Sequence, residues 1–132
     1  FTVSKVCRFN KDLYGLKQSP RAWFDRFLKA MLRFGYKQSS VDHTMFVKHN
    51  ANKVVMLTVC VDDIVVTGND KEEVTHLKRQ LAKEFEIKDL GSLRYFLRIE
   101  VARSDKSIFI SQRKYILDLL EETGMLGCKL AA

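Results

Sequence analysis

Apolar positions follow two different periods along this chain, and the period predicts the element. From Ser19 to Phe34 they recur at helical spacing: Phe24, Phe27, Leu28 and Met31 share one face, while Arg26, Lys29 and Arg33 fall opposite. Ser19 predicts the helix start as a hydroxyl N-cap, and Pro20 fits the first helical position, where its missing N–H costs nothing. Gly35 predicts the stop. A second stripe, Val74, Leu77, Leu81 and Phe85, predicts another helix, opened at Gly68-Asn-Asp70 with Asp70 and Glu73 in capping-box register. Ser111 predicts the cap of a third, running to about Glu122 and ended by Gly124.

The remaining apolar segments are short and rich in β-branched residues, which predicts strands. They are Val3 to Phe9, Thr44 to His49, Lys53 to Cys60, Ile64 to Thr67, Leu93 to Ala102 and Ile108 to Ile110. Turns are expected at His49–Asn52, Val61–Asp63 and Ser104–Lys106. The order β-α-β-β-β-α-β-β-α predicts an α+β fold, an antiparallel sheet with helices packed on one face.

One break in the pattern carries chemistry. Asp62 and Asp63 sit inside the apolar run Val54 to Gly68, whose flanks read as strands buried on both faces. Acids are rarely buried unless paired or metal-bound. Two carboxylates about 4 Å apart repel by roughly 4 kcal/mol at an effective dielectric near 20. Either a positive group converges on that turn, or the turn is an exposed hairpin corner, a place where aspartate is common. Mg²⁺ meets the first demand, since it takes hard oxygen ligands and needs only one or two protein carboxylates.

Composition narrows the class. The 132 residues suffice for one ordinary domain, and no apolar run is long enough to span a membrane. The first residues lack the apolar core of a signal peptide and an initiator Met, so the chain is expected to be part of something longer. Cys7, Cys60 and Cys128 are too widely spaced for a zinc ligand set or a disulfide framework, and His43, His49 and His76 are equally scattered. Charge is uneven. Residues 1–53 hold 11 Lys/Arg against 3 Asp/Glu, a net +8, whereas the rest of the chain is close to neutral. A polyanion partner is expected for the basic part, with Arg21, Arg26, Lys29 and Arg33 as its candidate nucleic-acid contacts.

Five ordered motifs then carry a resemblance over essentially the whole chain. Leu13-Tyr-Gly-Leu-Lys-Gln-Ser-Pro-Arg-Ala-Trp-Phe24, Val61-Asp-Asp-Ile-Val-Val-Thr-Gly68, Lys88-Asp-Leu-Gly91, Phe109-Ile-Ser-Gln-Arg-Lys-Tyr115 and Thr123-Gly-Met-Leu-Gly-Cys128 resemble the reverse transcriptase of copia-type LTR retrotransposons. The resemblance implies a polymerase palm, of ferredoxin-like shape, within a Pol polyprotein. It implies an RNA-directed DNA polymerase in which Asp62 and Asp63 bind two Mg²⁺ or Mn²⁺ ions. Gly15, Leu16, Lys17 and Gln18 would line the incoming-nucleotide pocket. Cys60, Val61, Phe96, Leu97 and Arg98 would lie near the primer end. The implied partners are an RNA or DNA template with primer, deoxynucleoside triphosphates and the rest of the polyprotein, with no membrane. The implied location is a cytoplasmic virus-like particle or the nucleus.

Three departures qualify the match. The family usually places an aromatic residue at Cys60 and a glycine at Arg98, where Arg resists the backbone geometry that glycine allows. The family's first catalytic aspartate and its fingers lie on a segment that would precede Phe1; thumb and ribonuclease H would follow Ala132. Residues 1–132 are therefore expected to form a single partial reverse transcriptase domain, inactive alone. The rival reading is a non-catalytic nucleic-acid-binding remnant of a decayed element.

Overall fold

The computed structural model describes residues 3–9, 19–61 and 63–129. It is α+β, with antiparallel sheets and three helices, and the chain forms two compact units, Phe1–Ser92 and Leu93–Ala132.

The first unit contains β1 (Val3–Phe9), α1 (Ser19–Arg33), β2 (Lys37–Gln38), β3 (Met45–Asn50), β4 (Lys53–Cys60), β5 (Asp63–Gly68), α2 (Lys71–Glu84) and β6 (Ile87–Ser92). Its six strands lie in the order β2-β3-β4-β5-β1-β6. The first strand of the sequence thus sits between β5 and β6, antiparallel to both.

Both helices cover one face. Phe27, Ala30 and Met31 from α1 and Val74, Leu77 and Leu81 from α2 join Val55, Leu57, Val59, Ile64 and Val66 in a single buried core. Burial alternates along β4 and β5, so Val54, Met56, Thr58 and Cys60 are only half-buried. This corrects the expectation of strands buried on both faces: β-branched residues fill both sides, but helices close only one.

Helix ends behave largely as the sequence predicts. At the end of α1 the Tyr36 amide donates to Met31 O (3.0 Å) and the Gly35 amide to Leu32 O (3.1 Å), with Gly35 at φ 85. That is the glycine-capped stop, with two orphan carbonyls satisfied. Asp70 caps α2, accepting from the Glu73 amide at 3.2 Å. The return half of the expected capping box is replaced, because Glu73 turns its carboxylate to Tyr36 and Lys48.

Two short strands were absent from the sequence reading. β2 has no apolar pattern of its own and exists through its pairing with β3. β6 likewise forms by pairing with β1 across some 80 residues of sequence, although Lys88-Asp-Leu-Gly91 looks like a loop. Within it Asp89 accepts from the Gly91 amide at 2.9 Å and forms an ion pair with Lys78 of α2.

The second unit contains β7 (Tyr95–Phe96), β8 (Ile99–Arg103), β9 (Ile108–Ser111) and α3 (Arg113–Glu122), with the strands in that order. The expected strand from Leu93 to Ala102 is instead a hairpin. Phe96 pairs with Ile99, and Leu97 and Arg98 between them both take positive φ, 49 and 64. Ser111 is not the cap of α3 but the last residue of β9; Gln112 holds the cap position without a side-chain bond. The capping oxygen comes from β8: Glu100 Oε2 accepts from the Lys114 amide and from the Ser111 hydroxyl, both at 3.2 Å. A carboxylate at a helix start is also favoured by the helix dipole.

Candidate active site

The aspartate turn is built by the β4–β5 hairpin. Six residue pairs run from Val55↔Gly68 to Cys60↔Asp63, so only residues 61 and 62 separate the strands. Asp63 opens β5, half-buried, and lies in register with Arg8 of β1 on its other side. Val61 takes φ 53 and is exposed. A β-branched residue with positive φ is a genuine outlier, held there only by its surroundings. Asp62 lies outside the described residues.

The far end of the hairpin is fixed in two ways. A Cβ on Gly68 would sit 2.5 Å from Val54 O and 2.9 Å from Val55 Cα, so only glycine allows this approach of β5 to β4. Asn69 then clasps β4: its Oδ1 accepts from the Val54 amide at 2.7 Å and its own amide donates to Val54 O at 3.1 Å. A stiff ladder anchored at one end therefore delivers Asp63 at the other.

Among the described residues no group of three or more His, Cys, Asp or Glu side chains is placed to hold a metal ion. The donors at the turn do suit a hard cation. Asp63 offers carboxylate oxygen, whereas the neighbouring Cys60 offers soft sulfur, which Mg²⁺ does not favour. Cys7, on the adjacent strand, is buried in the core, and burial pushes its thiol up to about 11, helped by the charge of Asp89 and opposed by Lys78.

The other expected site residues divide. Gly15, Leu16, Lys17 and Gln18 lie outside the described residues. Arg26 and Arg33 are both engaged at the end of α2. Arg26 donates to Glu84 O at 2.9 Å and stands 5.2 Å from the centre of the Phe85 ring; Arg33 grips both Glu84 carboxylate oxygens at 2.5 and 2.6 Å. Arg21 and Lys29 are exposed and make no ion pair among the described residues. Among the described residues, α1 therefore carries one cation held by a carboxylate, Arg33, one held by a carbonyl and a ring, Arg26, and two without an ion pair, Arg21 and Lys29.

Phe96, Leu97 and Arg98 form the β7–β8 hairpin tip, where Arg98 lies 4.7 Å from the centre of the Tyr115 ring. Sequence reasoning overlooked one cluster in the first unit. Tyr36 and Lys48 both donate to Glu73 Oε1, at 3.0 and 2.9 Å, and Lys48 also donates to Phe34 O at 3.0 Å. The phenol of Tyr36 is pushed well above its ordinary range, first by burial and then by the charge of Glu73. No local sequence signal marks it, because the three residues lie far apart in sequence and meet only through the fold.

Comparison with known proteins shows the family. The family described as reverse transcriptase (RNA-dependent DNA polymerase) matches residues 2–132. The chain is 41% identical over 127 residues to the retrovirus-related Pol polyprotein from transposon RE2 of Arabidopsis thaliana, covering 96% of this chain and 9% of that protein. It is 42% identical over 124 residues to that from transposon RE1 of the same plant, covering 94% and 8%. To that from transposon TNT 1-94 of Nicotiana tabacum it is 36% identical, covering 94% and 10%. The chain thus spans about a tenth of the length of these relatives. No solved structure matches it. The chain belongs to the reverse transcriptase family, as the segment shared with the Pol polyproteins of copia-type transposons.

Proposed function

We propose that this chain is the palm segment of an RNA-directed DNA polymerase, with Asp62 and Asp63 as ligands of two divalent ions, Mg²⁺ or Mn²⁺. The observation that carries this reading is the tight hairpin that opens β5 with Asp63, two residues after the strained Val61. When bound, such a pair of ions supplies activation of the primer hydroxyl and stabilisation of the leaving pyrophosphate. The chain's own contribution is rigidity: the β4–β5 ladder holds the backbone of Asp63 in register with Cys60.

In the same reading Gly15 to Gln18 line the incoming-nucleotide pocket, with Lys17 toward phosphate. Cys60 and Val61 lie near the primer end, Arg21 and Lys29 contact the nucleic acid, and the Phe96–Arg98 tip is a candidate primer contact of its own unit. The ferredoxin-like palm is completed by a third aspartate elsewhere in the polyprotein, together with the fingers, thumb and ribonuclease H. Its setting is a cytoplasmic particle or the nucleus; no helix of the described residues is long and apolar enough to cross a membrane.

The test is Mn²⁺ binding to the chain, followed by electron paramagnetic resonance. Binding should be weak and lost in the Asp62→Asn/Asp63→Asn variant; unchanged binding there would remove the metal role. The isolated chain should not extend a primer, because its metal site is incomplete. Oligonucleotide binding that is steeply salt-dependent, together with no Mn²⁺ binding, would instead favour the rival reading of a non-catalytic remnant.

A further inference from the structure

The β4–β5 ladder closes on the pair Cys60↔Asp63. Residues directly opposed on antiparallel strands project to the same face, with Cβ atoms about 4.5–5.5 Å apart. Their neighbours fix which face. Val59 and Ile64 are buried in the core, so Cys60 and Asp63, one residue along each strand, turn away from it and are both half-buried. Cys7 pairs with Ile64 and is buried in the core, so that second thiol lies on the other side of the sheet. A thiol and a carboxylate therefore stand side by side at the turn, within reach of solvent.

That donor pair discriminates among divalent ions. Mg²⁺ demands near-octahedral oxygen ligands and gains nothing from sulfur. Zn²⁺ takes thiolate sulfur at about 2.3 Å and carboxylate oxygen at about 2.0–2.2 Å. At a tetrahedral angle those two ligands are roughly 3.6 Å apart, a gap that side chains of one cross-strand pair can set. Cd²⁺ is softer still and has the same taste for sulfur. As the metal binds, the Cys60 thiol releases its proton to solvent, and the thiolate adds a negative charge beside the carboxylate. Asp62 stands between the two in sequence and enters the test as the remaining donor.

We propose that Cys60 and Asp63 together form a site for a thiophilic divalent ion, Zn²⁺ or Cd²⁺, which competes with Mg²⁺ and Mn²⁺ for the aspartate turn. The inference rests on the reading of Asp63 as a metal ligand, and it names the ion class that would block the turn.

The experiment titrates the full chain with Cd²⁺ and follows the ultraviolet charge-transfer band of a cadmium thiolate. A Cys128→Ser background removes the exposed thiol. The band should appear in a single saturating step and be absent in Cys60→Ser. In that variant the ratio of Cd²⁺ to Mn²⁺ affinity should fall by at least roughly tenfold, the loss that even an outer-shell partner brings. Asp62→Asn/Asp63→Asn should weaken the band's titration by a similar factor. Electron paramagnetic resonance should show Cd²⁺ and Zn²⁺ releasing bound Mn²⁺ at concentrations where Mg²⁺ does not. A chain that binds Mn²⁺ but gives no band, or keeps its Mn²⁺ when the band saturates, would overturn the inference and leave the polymerase reading standing. A band indifferent to the aspartate variant would overturn it too, since the thiol then binds alone. A band lost in Cys60→Ser and weakened in the aspartate variant, with no Mn²⁺ binding at all, would support the inference and remove the Mn²⁺ role.

Discussion

The guanidinium of Arg98 lies 4.7 Å from the centre of the Tyr115 ring, and Arg98 itself occupies the left-handed region at φ 64. The two facts oppose one another. A two-residue hairpin with both central residues at positive φ favours Asn-Gly or Gly-Gly, so Leu97-Arg98 costs roughly 1–3 kcal/mol in backbone strain. The stacked cation returns about 0.5–1 kcal/mol and ties the hairpin tip to α3.

Two substitutions separate these effects. Arg98→Ala loses the stacking and keeps the strain, so it should destabilise by about 1 kcal/mol. Arg98→Gly loses the stacking and relieves the strain, so it should come out near neutral or slightly stabilising. Thermal unfolding of both variants decides; equal melting temperatures would remove the strained tip.

How much of this was legible in the sequence follows from where each signal resided. α1 and α2 were readable because Ser19, Gly35, Asp70 and the Val74–Phe85 stripe are local signals. β2 and β6 were not, because Lys37-Gln38 and Lys88-Asp-Leu-Gly91 become strands only through partners distant in sequence. The break at Leu97-Arg98 was hidden for the opposite reason: neither residue is a turn former, so the run read as one strand. Ser111 was legible only in part: its hydroxyl accepts from the Arg113 amide at 3.5 Å, but from one residue before the cap position, and Glu100 on the neighbouring strand takes the Lys114 amide. Of the candidate site, the hairpin itself was legible, because the apolar runs on either side of the aspartates read as two strands around a short turn. The division of the α1 cations was invisible, because Glu84 lies more than 50 residues from Arg33.

The cluster of Tyr36, Lys48 and Glu73 makes a second expectation. Glu73→Ala would leave a buried phenol and a part-buried ammonium without their shared acceptor, which should cost about 2–3 kcal/mol. Tyr36→Phe removes one donor and leaves the Lys48–Glu73 pair, so its cost should be closer to 1 kcal/mol. Urea unfolding checks the order; a milder Glu73→Ala than Tyr36→Phe would contradict it.

Alkaline pH should destabilise the first unit. Cys7 and Tyr36 both have folded values above their ordinary ones, so their neutral forms are favoured in the folded chain. Stability from such groups is fully present below the ordinary value and declines as pH rises toward the folded one. For Cys7 the window runs from an ordinary value near 9 to about 11, with on the order of 2 kcal/mol at stake. Tyr36 adds its loss at higher pH. Denaturant unfolding between neutral pH and pH ~11 should show this decline, and Cys7→Ala should remove its first part.

Thiol reactivity offers an independent check on the placement of β1. Cys128 is exposed, Cys60 half-buried and Cys7 buried. A disulfide reagent near neutral pH should therefore modify Cys128 fast and Cys60 more slowly, and Cys7 only with unfolding. Rapid modification of all three in the folded chain would mean that β1 does not hold its place between β5 and β6.

The last expectation concerns the strain at Val61, beside the aspartates. At φ 53 this β-branched residue costs about 1–3 kcal/mol, and its side chain is exposed, so no packing repays that cost. Val61→Gly should therefore stabilise the chain by about 1 kcal/mol. If the strain sets the direction of the turn for metal binding, the same variant should bind Mn²⁺ more weakly, because glycine lets the turn wander. Gly68→Ala supplies the contrasting case at the other end of the ladder. Its Cβ would meet backbone at 2.5 Å, so it should cost about 3 kcal/mol and weaken Mn²⁺ binding along with stability. Melting temperature and Mn²⁺ affinity measured on both variants distinguish the two ends: opposite signs are expected for Val61→Gly, the same sign for Gly68→Ala. A Val61→Gly chain that is more stable and binds Mn²⁺ equally well would show that the strain at the turn serves no purpose at the site.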